Sequence, residues 1–233
     1  MNSYSERHLD PLEAKAYRGK FERSLTRRLS HRRERLLIQR ALDTAIQLLP
    51  PVLENHGGLE LLDFPCGAGR FASLLAEQSL HYQPADHSPH MLALCQQALE
   101  EAGLAGRSRA GVQADAREMP FEEASFDLAC CIRLIHHFQD PEDRGRILRE
   151  FRRVTRGPLV LTWLDGDSPK QCLHELRCRL SGRPSRRAPL SLQEIQEEAE
   201  AAGYELYRSW KLSGLFSGQA IGVFEPVGLP PAA

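Results

Sequence analysis

The sequence predicts an α/β fold: a doubly wound, mostly parallel seven-stranded sheet with a helical extension in front of it. Three observations carry that expectation. From about residue 59 onward, short apolar runs alternate with segments of helical periodicity, the pattern of repeated strand–helix units. The loops after the early apolar runs hold glycine or aspartate, as loops at the carboxyl edge of a parallel sheet do. The last two runs are separated only by a short turn near Gly214–Gly218, so they pair as a hairpin and leave an antiparallel strand at the end of the sheet.

Taken in order, the first fifty residues read as helix. Leu25, Leu29, Leu36 and Leu37 stand among arginines, and Ile38, Ala41, Leu42, Ala45 and Leu49 continue at helical spacing until Pro50-Pro51 stops the run. After Gly57-Gly58, LELLDF (59–64) reads as the first strand and RFASLLAEQ (70–78) as a helix with Phe71, Leu74 and Leu75 on one face. LHYQPAD (80–86) is the second strand, interrupted by Pro84. Ser88 and Pro89 form a cap and first turn for a helix through about Ala102. RAGVQAD (109–115) and SFDLACCI (125–132) are the third and fourth strands. Asp140-Pro141 opens a helix in which Ile147, Leu148, Phe151 and Val154 share a face, and PLVLTWL (158–164) is the fifth strand. SLQE (191–194) has the spacing of a capping box for a helix running to Gly203. Tyr204, Leu206, Trp210 and Leu212 share one parity, which places them on one face of a sixth strand; GQAIGVFEP supplies the seventh.

This divides the chain into a helical extension or cap (1–56), a sheet domain (57–226) with a basic insertion at 167–190 read as a lid, and a flexible tail (227–233). A length of 233 residues suits one core. The net charge of −1 hides an uneven distribution: residues 1–40 carry +6 and residues 167–190 carry +4, which leaves −11 on the rest. Only four of the 30 basic residues are lysine, and arginine is the better bidentate partner for phosphate or carboxylate. The six cysteines show no metal-type pairing, so no metal site is expected. MNSYSERHLD lacks the pattern of a secretory leader, which with reduced thiols suggests a cytoplasmic protein.

Ligands of such sheets bind beyond the carboxyl ends of the strands. After the first strand stand Asp63, Gly67 and Gly69; the glycines let backbone approach a ligand and feed the positive end of a helix. Asp86 ends the second strand, placed to accept from a ribose diol, and Asp115 with Ala116 ends the third. The fourth leads to Arg133, His136 and His137, and the fifth to Trp163, Asp165 and Asp167. Taken alone, G-A-G-R-F-A with Asp86 also fits a dinucleotide fingerprint, so a NAD-dependent oxidoreductase stays open at this point.

The ordered set LLDFPCGAGRF, ADHSPHML, QADAREMPF, SFDLACCIRLIHHF and LREFRRVTRGPLVLTW resembles the class I S-adenosylmethionine-dependent methyltransferases, of the type 11/25 kind, from about Leu59 to Trp163. The resemblance implies their Rossmann-like fold and S-adenosylmethionine as cofactor, with S-adenosylhomocysteine as product. It implies that Asp63, Gly67 and Gly69 hold the methionine part, Asp86 the ribose, and Met91, Asp115, Ala116 and Ile132 the adenine. Tyr17 would close on the cofactor from the extension. Two positions depart from the family pattern: Pro65 replaces the first glycine of the loop, and Gly157-Pro158 stands where a glycine pair is usual. On the acceptor side, His136 or His137 is a candidate base, or both simply pack at the start of the next helix. Arg133 either pairs with a carboxylate of the body or anchors an anionic acceptor. The expected acceptor is a small or lipid-like molecule carrying phosphate or carboxylate. The basic arms keep an RNA-directed enzyme of the same fold as the rival, and a non-catalytic binder of the cofactor is a third reading.

Overall fold

The computed structural model describes residues 25–50, 58–79, 81–182, 185, 187–213 and 217–228. The strands are β1 (Glu60–Asp63), β2 (His81–Asp86), β3 (Val112–Gln113), β4 (Leu128–Cys131), β5 (Leu159–Leu164), β6 (Tyr204–Ser213) and β7 (Ser217–Pro226). The helices are α1 (Leu25–Gln47), α2 (Ala72–Gln78), α3 (Pro89–Glu101), α4 (Pro141–Val154), α5 (Pro169–Ser181) and α6 (Leu192–Ala201). The seven strands form one sheet in the order β3-β2-β1-β4-β5-β7-β6. β1 to β5 pair in parallel, and β7 runs antiparallel between β5 and β6.

Alternate residues of each strand feed opposite faces. Leu62, Ala129, Leu161 and Phe224 pack with Ile147, Leu148 and Phe151 of α4 and with Ile195 and Ala199 of α6. Their neighbours Leu61, Leu128, Cys130, Val160 and Val223 pack with α2, α3 and Ile38, Ala41, Leu42 and Ala45 of α1. Helix α1 is therefore part of the sheet's own core. Helix starts are fixed locally, as their sequences demand: Ser88 caps α3, Asp140 caps α4, and Ser191 with Glu194 forms a capping box on α6.

Two strands differ from expectation. β3 is only two residues long, because its pairing with β2 breaks between Ser108 and Val112, where the Gln83 side chain takes the Ala110 carbonyl. In β6 the register shifts between Leu206 and Arg208. Leu206 packs with Tyr204 on the α4/α6 face, whereas Trp210 packs on the α1 face. One extra residue at Tyr207 inverts the parity, so the four residues expected on one face serve two.

Gly157 has a steric role. A Cβ there would collide with the Asp127 carbonyl oxygen and lie 2.7 Å from Leu49 Cδ2. That one glycine of the expected pair is needed for the close approach of these segments.

Candidate functional site

Strands β1 and β4 lie side by side, and the chain leaves β1 toward β2 on the other side. The crevice beyond their carboxyl ends is the topological switch point of the sheet. A cavity open to solvent lies there. Asp63 ends β1 and Pro65, Cys66, Gly67 and Ala68 follow it into the cavity, Asp86 ends β2 with His87 and Ser88 after it, and Ile132, Arg133 and His137 follow β4; Arg70, Phe71 and Met91 complete the lining.

The β1 loop is held in shape from beneath. Its Phe64–Pro65 peptide is cis, and Gly67 (φ +53°) and Gly69 (φ +74°) lie in the left-handed region that glycine tolerates. A Cβ on Gly69 would stand 2.8 Å from the Ala98 Cβ and 2.9 Å from the Cys95 Cα, so this glycine lets the loop lie on α3. A Cβ on Gly67 would meet nothing within 4 Å. Gly67 N–H donates to Asp86 Oδ2 and Ser88 N–H to Asp86 Oδ1, each at 2.9 Å. Asp86 thus ties the β1 and β2 loops together at the cavity wall.

Burial sets the electrostatics of the two aspartates. Desolvation pushes the Asp63 carboxyl up to about 7, Tyr82 Oη–H (2.6 Å to Oδ2) pulls the other way, and the neighbouring Asp86 adds to the rise. Asp86 is also raised by burial, against the pull of the Ser88 and Gly67 amides. A pair of desolvated carboxylates at a cavity wall favours a ligand that brings positive charge and hydroxyl donors.

Another part of the lining is cationic and depends on α1. Glu34, 1% exposed, accepts from Arg70 Nη2 and from Arg133 Nε at 2.9 Å. Arg70 Nε donates to His31 Nδ1 at 3.0 Å, and the guanidinium lies over the Phe71 ring, 4.7 Å from its centroid. Burial first, then Arg70, lowers the pKa of His31, which keeps its Nδ1 an acceptor. Arg133 has a left-handed backbone (φ +65°), and its N–H donates to Thr162 Oγ1 at 2.7 Å. The Glu34 carboxylate that Arg133 meets comes from α1.

Asp63, Gly67, Asp86, Met91, Ile132, Arg133 and His137 line the cavity, and Gly69 shapes its loop. Asp115 and Ala116 do not line it. Arg117 holds the Asp115 carboxylate through Nε and Nη2 (3.0 and 2.6 Å), which lowers its pKa, and also reaches Asp143 at 3.1 Å. His136 and His137 form a short 3₁₀ turn with their rings 4.3 Å apart. His136 is buried with Nδ1 unmatched, and burial, then His137, holds its pKa well below the ordinary imidazole range. Trp163 packs in the core against Phe224, and Asp165 pairs with Lys211 at 2.7 Å. Tyr17 lies outside the described residues. Among those described, no cluster of three or more His, Cys, Asp or Glu is arranged to hold a metal ion.

His31, Glu34, Arg70, Tyr82 and Arg117 are the interacting residues that sequence reasoning missed. Glu34 alone carried a readable signal: it is the acid in an arginine-rich run, and it falls on the helical face of Ile38, Ala41 and Ala45.

Residues 62–158 match the family model described as a methyltransferase domain. A protein of Encephalitozoon cuniculi (strain GB-M1) named "Putative methyltransferase ECU09_1500" is 32% identical over 121 residues, 51% of this chain and 51% of that protein. The chain thus spans about half the length of that curated relative. The magnesium protoporphyrin IX methyltransferase of Synechocystis PCC 6803, solved with bound SAH, superposes with a TM-score of 0.69 at 18% identity, covering 87% of each chain. The CcbJ methyltransferase of Streptomyces caelestis superposes with a TM-score of 0.59 at 14% identity, covering 82% of this chain and 89% of that one. At such identities the structural likeness shows the fold.

Proposed function

We propose, from the match of residues 62–158 to the methyltransferase-domain model, that the chain is an S-adenosylmethionine-dependent methyltransferase. Its acceptor is a small or lipid-like molecule carrying phosphate or carboxylate. The observation that carries this reading is the divided lining of the switch-point cavity, with buried Asp63 and Asp86 beside an open glycine loop and Arg70, Arg133 and His137 elsewhere in the wall.

The residues present fit the cofactor. An α-amino group suits the desolvated Asp63, a ribose diol suits Asp86, and the space over Gly67 admits a ligand against the backbone. Bound there, S-adenosylmethionine supplies an electrophilic methyl on a sulfonium. The chain's own task is to orient a nucleophile in line and exclude water. Arg133 and Arg70 provide positive charge for an anionic acceptor. His137 lines the cavity and is the candidate to take a proton at a ring nitrogen where the acceptor must lose one. His136 is kept neutral by burial and packs behind it.

Calorimetric titration with S-adenosylhomocysteine and with NAD⁺ tests the reading. Binding of the first and not the second is expected, and the reverse overturns it. Asp86→Ala is expected to weaken S-adenosylhomocysteine binding by about 1–3 kcal/mol, because it removes a charged acceptor and releases the Gly67 amide. Unchanged affinity in a folded variant refutes the ribose assignment.

A further inference from the structure

Helix α5 faces the wrong way for a globular protein. Its inner, less exposed positions are Gln171, Glu175 and Cys178, all polar or small. Its leucines lie on the outside: Leu173 is 48% exposed, Leu176 52% and Leu180 80%. At spacings of three and four they form one stripe, and helical geometry puts Lys170 and Arg177 beside it with no acid on that face. An ordinary surface helix buries such a stripe in the core.

Helix α1 repeats the arrangement. Its inner face is Glu34, Ile38, Ala41 and Leu42, while Leu29 (67% exposed) and Leu36 (62%) point out among exposed Arg32, Arg33 and Arg40. Both stripes belong to one end of the molecule. Glu34 reaches Arg70 and Arg133 at the carboxyl ends of β1 and β4, whereas Leu49, just past α1, lies against Gly157 at the amino end of β5. The first half of α1 therefore sits at the cavity rim. Helix α5 leaves the same end of the sheet through Asp165–Ser168, and the segment after it is pinned there by Ala188 N–H to the His136 carbonyl at 2.9 Å.

We infer that the exposed leucine–arginine faces of α1 and α5 form a surface that docks the protein on an anionic lipid bilayer, with the cavity mouth toward the lipid. Leucines on a helix flanked by cations suit the boundary between headgroups and acyl chains, where the apolar side chains leave water and the cations meet lipid phosphates. Among the described residues no helix is long and apolar enough to cross a membrane. Nucleic acid would use the arginines but gives the leucines no partner, which favours lipid. The inference rests on the function proposed above only for what the cavity would take from the bilayer; docking itself requires no cofactor.

The test is co-sedimentation of the full chain with vesicles of phosphatidylcholine, and with vesicles containing about 30% phosphatidylglycerol. Sedimentation is expected only with the anionic vesicles and is expected to decline in high salt. In Leu173→Gln/Leu176→Gln/Leu180→Gln partitioning is expected to fall about tenfold or more, with S-adenosylhomocysteine affinity unchanged. Absence of sedimentation by the wild type overturns the inference, as does sedimentation that the leucine changes leave intact. Self-association lost in the leucine variant, or RNA binding in place of vesicle binding, also overturns it. Because cofactor affinity is measured separately, failure to dock and failure of the methyltransferase reading give different results.

Discussion

Asp63→Asn is expected to stabilise the ligand-free protein above pH 7 while removing most of its affinity for S-adenosylhomocysteine. The Asp63 carboxyl rises from 3.8 to about 7 on folding, chiefly through desolvation, and the Tyr82 hydroxyl offsets only part of this. The stabilising contribution of a raised carboxyl is full below its unfolded pKa and is lost as pH climbs through the folded one. Above pH 7 the native state therefore holds a buried anion at its full cost. Asparagine fills the same space and still accepts from Tyr82, so urea unfolding at pH 8 should show a gain of about 2–4 kcal/mol. Between about pH 4 and 8 the variant should lose the decline in stability that this group imposes on the wild type. In the proposed site this charge meets the cofactor's cationic amino group, so affinity should drop at least tenfold, roughly 1.4 kcal/mol or more. Binding to the wild type near pH 6.5 should release a proton, measured by calorimetry in buffers of different ionisation enthalpy. A variant that is less stable at pH 8 would show that a group in the fold already neutralises the anion.

What the sequence disclosed and what it concealed follow from the range of the interactions. Strand–helix alternation and the caps at Ser88, Asp140 and Ser191 are written in neighbouring residues, so element order and the seven-stranded topology were legible. The hairpin of β6 and β7 was legible too, but its internal parity was not: the shift past Leu206 depends on how β6 pairs with β7. The loop glycines and Asp86 were readable because they follow strands directly. Their partners were not. Tyr82 reaches Asp63 because β2 pairs beside β1 in one particular register, with Leu61 opposite Tyr82. Arg117 stands two residues from Asp115, yet no periodic pattern marks such a bidentate clasp. Arg133 was read as a charge that either pairs with a body carboxylate or anchors an anionic acceptor; the carboxylate it meets lies 99 positions away in the chain, in α1.

That distant carboxylate is the basis of the second large effect. Glu34→Ala is expected to destabilise the protein by about 3 kcal/mol, the lower end of the range for breaking a buried ion pair, because Arg70 and Arg133 are 14% and 34% exposed. The loss comes from what remains: two guanidiniums and a half-buried imidazole are left facing one another without the anion that joined them. Glu34→Gln keeps the shape and one acceptor oxygen, so it should lose less than the alanine variant. Charge compensation also predicts rescue. Millimolar phosphate or sulfate should recover part of the melting temperature of Glu34→Ala, and do less for the wild type, where Glu34 already joins the two arginines. If Glu34 served only to fill space, Gln would match the wild type and anions would stabilise both proteins equally. Because both arginines also line the cavity, Glu34 is a positioning residue. Loosening α1 should then raise KM for an anionic acceptor more than it lowers kcat, whereas a purely structural defect would reduce the amount of active enzyme and leave KM unchanged.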